Sequence, residues 1–186
     1  MNTTDLQDTF DAKGSKFTDI EYRHPQSEKI IEEALEIIRE SETGAHLIQV
    51  AKKGNIPLHV FKSEEGKSSY IPDSNAIYIG ASEKTKEAGP SQVIAVILTL
   101  REAEQEMIGL SAPDPADMLN YATVMHTKNL DALVYMCKVI HEMEVKKTDH
   151  YTVLLDEVKE MGHNSLYQAY VTEEDETGLA QAYVDG

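Results

Sequence analysis

The stretch SQVIAVILTLREAEQEMI, residues 91–108, decides the fold, because it joins an apolar half to an acidic half. Its first ten residues carry no charge, and this pattern predicts a helix from Pro90 to Ile108 that is buried on several sides in its N-terminal half. Proline suits the first turn of a helix, where its missing N–H costs nothing, so Gly89-Pro90 marks the start. The half that begins at Arg101 then either emerges into solvent or lines a cleft.

The residues before this helix change from helical to strand-like spacing. Ser27 is placed to cap a first helix, whose apolar stripe runs from Ile30 to Ile38, and a second short helix ends at Gly54. Three segments of strand length follow, IPLHVF, KSSYI and AIYIG, separated by EEG and by the turn-forming PDSN. The simplest arrangement is a three-stranded meander that ends with the strand Ala76–Gly80.

The residues after the buried helix are mostly helical. The breaker GLSAPDPAD precedes a long helical region from about residue 116 to residue 145, and a further helix closes at Gly162. This order of elements predicts an α+β fold with a small sheet packed on a buried helix, in a single domain over residues 27–170. Residues 1–26 are predicted to form a loose arm. Residues 171–186, rich in Glu, Asp, Gly and Thr, are predicted to form a disordered acidic tail.

Composition limits the classes of function. The net charge of −16 opposes binding to nucleic acids and to anionic membranes, since both are polyanions. No apolar run approaches the roughly 20 residues of a membrane span, so we expect no membrane association. The single cysteine, Cys137, fits a reducing compartment, and the polar N-terminus does not resemble a secretory signal. We therefore expect a cytoplasmic protein, with an acidic inhibitor or a mimic of DNA as the weakest of the alternative functions.

Two segments carry a resemblance to a known family. Residues 98–105, LTLREAEQ, resemble the His-Glu-Leu-Arg-His-Ala-x-Gln segment of a bacterial family of predicted metallopeptidases with a zincin-like fold. Residues 129–132, NLDA, are similar to that family's Glu-Ala-Asp-Ala segment, and the similarity covers about residues 28–145. In zincins, two histidines one turn apart bind zinc and the adjacent glutamate is the general base. The resemblance implies a zincin-like fold in which the strand before the buried helix forms the edge of the cleft and holds a peptide.

The residues that carry zincin chemistry are replaced in this chain. The resemblance aligns Leu98 with the first zinc histidine and Thr99 with the general base. It aligns Glu102 with the second histidine and Asn129 with the third ligand, while Asp131 matches a framework position. Leucine cannot ligate a metal, and threonine cannot act as a carboxylate base. We therefore expect no catalytic residue, no zinc or other cofactor, and a vestigial cleft at these five positions.

Several functions stay open on this basis. The favoured hypothesis is a non-catalytic zincin-like domain that binds an unidentified peptide or protein, or has a structural role. The alternative is a metal-dependent hydrolase with an unfamiliar ligand set, in which Glu102 and Asp131 act with a histidine that the fold brings in. The simplest alternative to the resemblance itself is an unrelated helix-rich domain, in which the acidic half of residues 91–108 is an ordinary solvated helix end.

Overall fold

The computed structural model describes residues 23–111, 113, 116–172 and 176–185, which form an α+β fold. The described elements are α1 (Ser27–Ile38), α2 (Glu42–Lys53), β1 (Leu58–Lys62), β2 (Ser69–Ile71), β3 (Ala76–Ala81), α3 (Pro90–Met107), α4 (Met118–Lys146), α5 (Tyr151–Glu160), α6 (Asn164–Val171) and α7 (Glu176–Asp185). The predicted α+β class is confirmed. None of the described helices has the length and apolarity needed to cross a bilayer.

The sheet is mixed, so the predicted meander is wrong. Its order is β1-β3-β2, with β3 parallel to β1 and antiparallel to β2. All six residues of β3 are buried, as is typical of a strand whose two faces are both covered. Because β3 lies at the centre of the sheet, the strand before the buried helix is not the cleft edge that the resemblance implies. The chain between β1 and β2 passes close to this centre. A Cβ on Gly80 would lie only 2.5 Å from the carbonyl oxygen of Lys67, which explains the glycine.

The buried helix is α3, and it contacts every layer of the fold. It packs against α1, α2, α4, α5, β2 and β3. Its side chains Val93, Ile97 and Leu100 are at most 1% exposed, as the apolar run predicts. On α4, Leu133 is buried as expected, whereas Val134 is only half-buried. The predicted packing of α4 against the buried helix is therefore confirmed, and α3 is the frame on which the other elements are placed.

The segment before α1 is packed against the sheet from Arg23 onwards. The backbone N–H of His24 donates to the carbonyl oxygen of Val60 at 2.9 Å. The buried His24 ring donates from Nε2 to the carbonyl oxygen of Ser82, also at 2.9 Å. Ser27 is not the N-cap of α1 but its first residue, and its hydroxyl accepts from the Val60 N–H at 3.0 Å. The serine therefore completes the edge of β1 rather than the end of a helix. The rest of the predicted arm, residues 1–22, lies outside the described residues.

The prediction of a disordered tail is wrong, because a helix forms in this segment. α6 extends to Val171, and α7 occupies Glu176–Asp185 and packs on α6. The apolar side chains Leu179 and Tyr183 lie four residues apart, on one helical face, and both pack against the core. Composition alone could not reveal this contact, because two apolar residues are a short signal in an acidic segment.

Candidate functional site

The five positions of the predicted cleft differ in burial and in the groups that they contact. Thr99 is buried, and its hydroxyl donates to the carbonyl oxygen of Ala95 at 2.7 Å, so it is used within α3. Leu98 is half-buried and packs against the core, while Asn129 is exposed on α4. The two carboxylates of the set, Glu102 and Asp131, make contacts with different elements, which are described next.

Glu102 reaches the outer edge of the sheet. Its Oε2 accepts a hydrogen bond from the backbone N–H of Tyr70 at 3.2 Å. Tyr70 stands opposite Ile77, whose own N–H donates to Pro57 on the β1 side. The Tyr70–Ile77 pair is therefore a non-hydrogen-bonded pair of the ladder, and the Tyr70 amide points away from β3. The Glu102 carboxylate thus occupies the place where a further strand would pair with β2.

Charged side chains of α3 and α4 surround this contact. Burial raises the pKa of the Glu102 carboxyl, and the Tyr70 amide and the Lys128 ammonium partly oppose that rise. The Lys128 ammonium also lies 3.4 Å from Glu106 Oε2. Burial raises the pKa of the Tyr70 phenol, and the Glu106 carboxylate raises it further. We call the surface formed by Tyr70, Glu102, Glu106 and Lys128 the edge groove. It is a strand edge lined by two carboxylates and one ammonium.

An ionic network centred on Arg101 lies beside the edge groove. Arg101 donates from Nε to Asp131 Oδ2 at 2.6 Å and from Nη2 to Asp131 Oδ1 at 3.0 Å. Its Nη1 donates to Glu104 Oε2 at 2.6 Å, and its guanidinium lies over the ring of Tyr135, 3.7 Å from the centroid. Both oxygens of Asp131 are engaged, so this carboxylate fixes α3 to α4 rather than facing the groove.

The network continues through Gln105, a fully buried residue of α3. Its Nε2 donates to Asp131 Oδ2 at 2.6 Å and to the carbonyl oxygen of Lys128 at 2.9 Å. On the other side, Glu104 Oε1 contacts Nε2 of His46 on α2 at 2.8 Å. The network therefore joins α2, α3 and α4. Because it fixes the position of α4 along α3, it also places the Lys128 ammonium in the edge groove.

The hydrolase centre considered from the sequence is not assembled by these contacts. Glu102 bonds to Tyr70, whereas Asp131 bonds to Arg101 and Gln105. Among the residues that the structure describes, no group of three or more His, Cys, Asp or Glu side chains is arranged to hold a metal ion.

Of the four members of the edge groove, only Glu102 was among the site residues predicted from the sequence. Tyr70 contributes its backbone N–H, and a backbone group leaves no signal in residue type. Lys128 lies one residue before the NLDA segment and carries no motif of its own. A signal for the ionic network was present, however, because Arg101 and Asp131 carry opposite charges on two helices that the sequence predicts to pack together.

The geometry defines what the edge groove can do. It offers an outward backbone amide on an edge strand, and the acceptor now bound to that amide is a side chain that can turn away. Such an edge can accept a carbonyl of an extended peptide. Comparisons of this chain with models of known protein families, with curated proteins and with solved structures each gave no match.

Proposed function

We propose that this chain is a non-catalytic, zincin-like domain that binds an extended peptide segment along the edge of β2. The observation that carries the proposal is the 3.2 Å hydrogen bond between the outward Tyr70 N–H and Glu102. A carbonyl of an added strand can replace the Glu102 carboxylate there without disturbing the pairing of β2 with β3. While no peptide is bound, the Glu102 carboxylate accepts the hydrogen bond of the Tyr70 N–H, which would otherwise lack a partner at the sheet edge.

The charges of the groove favour a basic peptide. When a peptide carbonyl takes the Tyr70 amide, the Glu102 carboxylate is released and needs a new partner, because it is partly buried. A Lys or Arg side chain of the peptide supplies that partner, and Glu106 adds a second carboxylate that Lys128 already neutralises in part. The net charge of −16 steers a cationic segment toward the chain.

The residue types at the former ligand positions support binding rather than hydrolysis. Leu98 has no ligand atom, and the hydroxyl of Thr99 is already bonded inside α3. Asp131 has both oxygens engaged by Arg101, so it is not available to activate water. These side chains fill and stabilise the space beside the groove without offering a nucleophile or a base.

A matched pair of substitutions at Tyr70 tests the proposal. A library of random peptides displayed on phage is selected on the intact chain, and the strongest peptide is synthesised for titration. Tyr70→Val removes the ring but keeps the N–H, whereas Tyr70→Pro removes both, and proline is tolerated at an edge-strand position whose amide points outward. We expect enrichment of Lys and Arg, and Tyr70→Pro should bind about tenfold more weakly than Tyr70→Val, the equivalent of one hydrogen bond of roughly 1.4 kcal/mol.

Two outcomes would contradict the proposal. Equal affinity of Tyr70→Val and Tyr70→Pro, with both variants folded by circular dichroism, would show that the peptide does not pair with β2. Enrichment of acidic peptides would place the binding surface elsewhere, because the carboxylates of the edge groove repel them.

A further inference from the structure

The N-terminal part of α4 extends beyond the helix against which it packs. The contacts Arg101–Asp131 and Gln105–Lys128 show that α3 and α4 run antiparallel. α3 ends two residues after Gln105, so this register leaves about two turns of α4, Met118–Val124, beyond its end. Consistently, no residue of α4 before Ala132 is buried. We call Met118–Val124 the overhang.

Exposed apolar side chains are concentrated at the overhang. Nine large hydrophobic side chains are exposed among the residues that the structure describes. Five of the nine belong to the overhang or to the nearby end of α3 and the residues that follow it: Met107, Ile108, Leu110, Met118 and Leu119. Met118 and Leu119 are 79% and 80% exposed, the highest values of the nine. This concentration distinguishes the overhang from the scattered apolar residues that any surface carries.

The threonine hydroxyls on this face of α4 need no outside partner. The hydroxyl of Thr123 donates to the carbonyl oxygen of Leu119 at 2.8 Å, and that of Thr127 donates to the carbonyl oxygen of Thr123 at 2.9 Å. The hydroxyls are thus satisfied within the helix, and Ala122 beside them is small and exposed. Covering this face therefore costs little desolvation of polar groups.

The charge of the overhang differs from that of the rest of the chain. Residues 118–130 contain no Asp or Glu, although the chain has 33 of them in 186 residues. Two copies that carry −16 each repel wherever their carboxylates approach. They meet at the lowest electrostatic cost on a face that lacks carboxylates, and the overhang is such a face. A basic partner, by contrast, would find no carboxylate there.

We propose that the overhang is a self-association surface, on which the α4 helices of two copies pack antiparallel about a two-fold axis near Ala122 and Thr123. The small side chains at the centre allow the helices to approach to about 8 Å. Leu119 of each copy then lies beside His126 of the other, because both are equally far from the axis. The His126 ring also packs on Tyr183 of α7, with 5.0 Å between the ring centroids. Such a contact is closed, so association stops at the dimer. This surface is separate from the edge groove and does not depend on peptide binding.

Mass measurement across a concentration series tests the proposal. Light scattering after size exclusion should give about twice the chain mass of 20.8 kDa, and the dimer should strengthen with added salt, because salt screens the repulsion between the copies. Leu119→Glu should give the single-chain mass. The control is Val145→Glu, which changes a 68%-exposed apolar residue near the other end of α4 and should leave the dimer intact. A wild-type chain of single mass at every concentration would overturn the proposal, as would a dimeric Leu119→Glu.

Cross-linking tests the geometry independently. In the proposed dimer the two copies of residue 122 face each other across the axis, within reach of a disulfide. The two copies of residue 129 lie about 20 Å apart along the helices. Both positions are exposed, and the native Cys137 is fully buried. Mild oxidation should therefore link Ala122→Cys into a dimer and leave Asn129→Cys unlinked. Equal linking of the two variants would rule out the antiparallel arrangement.

Discussion

Arg101 and Asp131 meet through two parallel hydrogen bonds of 2.6 and 3.0 Å, which tie the middle of α3 to α4. Arg101 is only 8% exposed, and its remaining bond, to Glu104, makes one guanidinium the partner of two carboxylates. This relationship explains why an apolar helix turns acidic. Glu104 is itself only 8% exposed and serves as an internal partner of Arg101 rather than as part of a solvated helix end.

Removal of the shared cation should destabilise the fold. We expect Arg101→Leu to lower the free energy of unfolding by about 3 kcal/mol, because it leaves two carboxylates without their partner in a largely buried place. Urea unfolding followed by circular dichroism measures the change. Lys159→Ala is the control, since its ion pair with Asp156 is about half exposed and contributes under about 1 kcal/mol. Equal unfolding midpoints for both variants would contradict a structural role of Arg101.

The carboxyl of Glu102 should make stability depend on pH. Its folded pKa lies above the ordinary value of 4.5 because of burial, so the folded chain binds this proton more tightly than the unfolded chain does. The wild type therefore loses stability as the pH rises from 4.5 through the folded pKa. Glu102→Gln carries no charge and can still accept from Tyr70. It should match the wild type in stability below pH 4.5 and exceed it at neutral pH.

The control for Glu102→Gln is Glu32→Gln, which removes one charge from an exposed position of α1. Unfolding curves in urea, recorded across the pH range, compare each variant with the wild type. If Glu102→Gln were the less stable protein at neutral pH, the carboxylate would be a net stabilising group, contrary to its burial.

The core side of α4 gives a prediction about packing. Leu133 is 7% exposed, and Leu133→Ala should lower the free energy of unfolding by roughly 2–5 kcal/mol through lost contacts and a residual cavity. Val145 on the same helix is 68% exposed, and Val145→Ala should change the free energy of unfolding by less than about 0.5 kcal/mol. Thermal and urea unfolding distinguish the two. An unchanged midpoint for Leu133→Ala would mean that α4 does not pack on α3 around Leu133.

Metal content tests the proposal that the chain is non-catalytic. We expect no stoichiometric zinc after extensive dialysis, because zinc sites take three or four His, Cys, Asp or Glu ligands and the aligned positions offer Leu98, Glu102 and Asn129. Elemental analysis of the purified protein gives the answer directly. About one zinc per chain that disappears in Glu102→Ala would overturn the proposed function and indicate an enzyme with an unfamiliar ligand set.

The helices α1 to α5 were predictable from local patterns, whereas α7 and the order of the strands were not. The apolar half of α3 predicts burial because periodicity reports how many sides of a helix are covered, and Val93 and Ile97 follow it. Strand pairing is a long-range property, and a run such as AIYIG indicates a strand without naming its neighbours. The meander was the simplest arrangement of three successive strands, and the sequence did not show that β3 lies between the other two.

The candidate site was predictable in residue type only in part. The sequence shows that Leu98 offers no metal ligand and Thr99 no carboxylate base, whereas the bond from Tyr70 to Glu102 depends on which way one amide points in the sheet. Ser27 shows the same limit, because a serine at a helix start has the chemistry of a cap and the fold uses its hydroxyl for Val60 instead. Local chemistry lists what a side chain can do, and tertiary packing selects among those uses.

The packing of residues 23–27 along β1 sets the stoichiometry of any strand addition. Arg23 bridges to Phe61, and the outward N–H and carbonyl of Val60 are bonded to Ser27 and His24. That margin of the sheet is closed, so an incoming strand adds at β2 alone. A sheet that grows from one side takes up a single strand and stops, whereas a sheet open on both sides can join its copies into a fibre. By covering β1, the short segment before α1 thus prevents copies of this chain from pairing on both margins of the sheet.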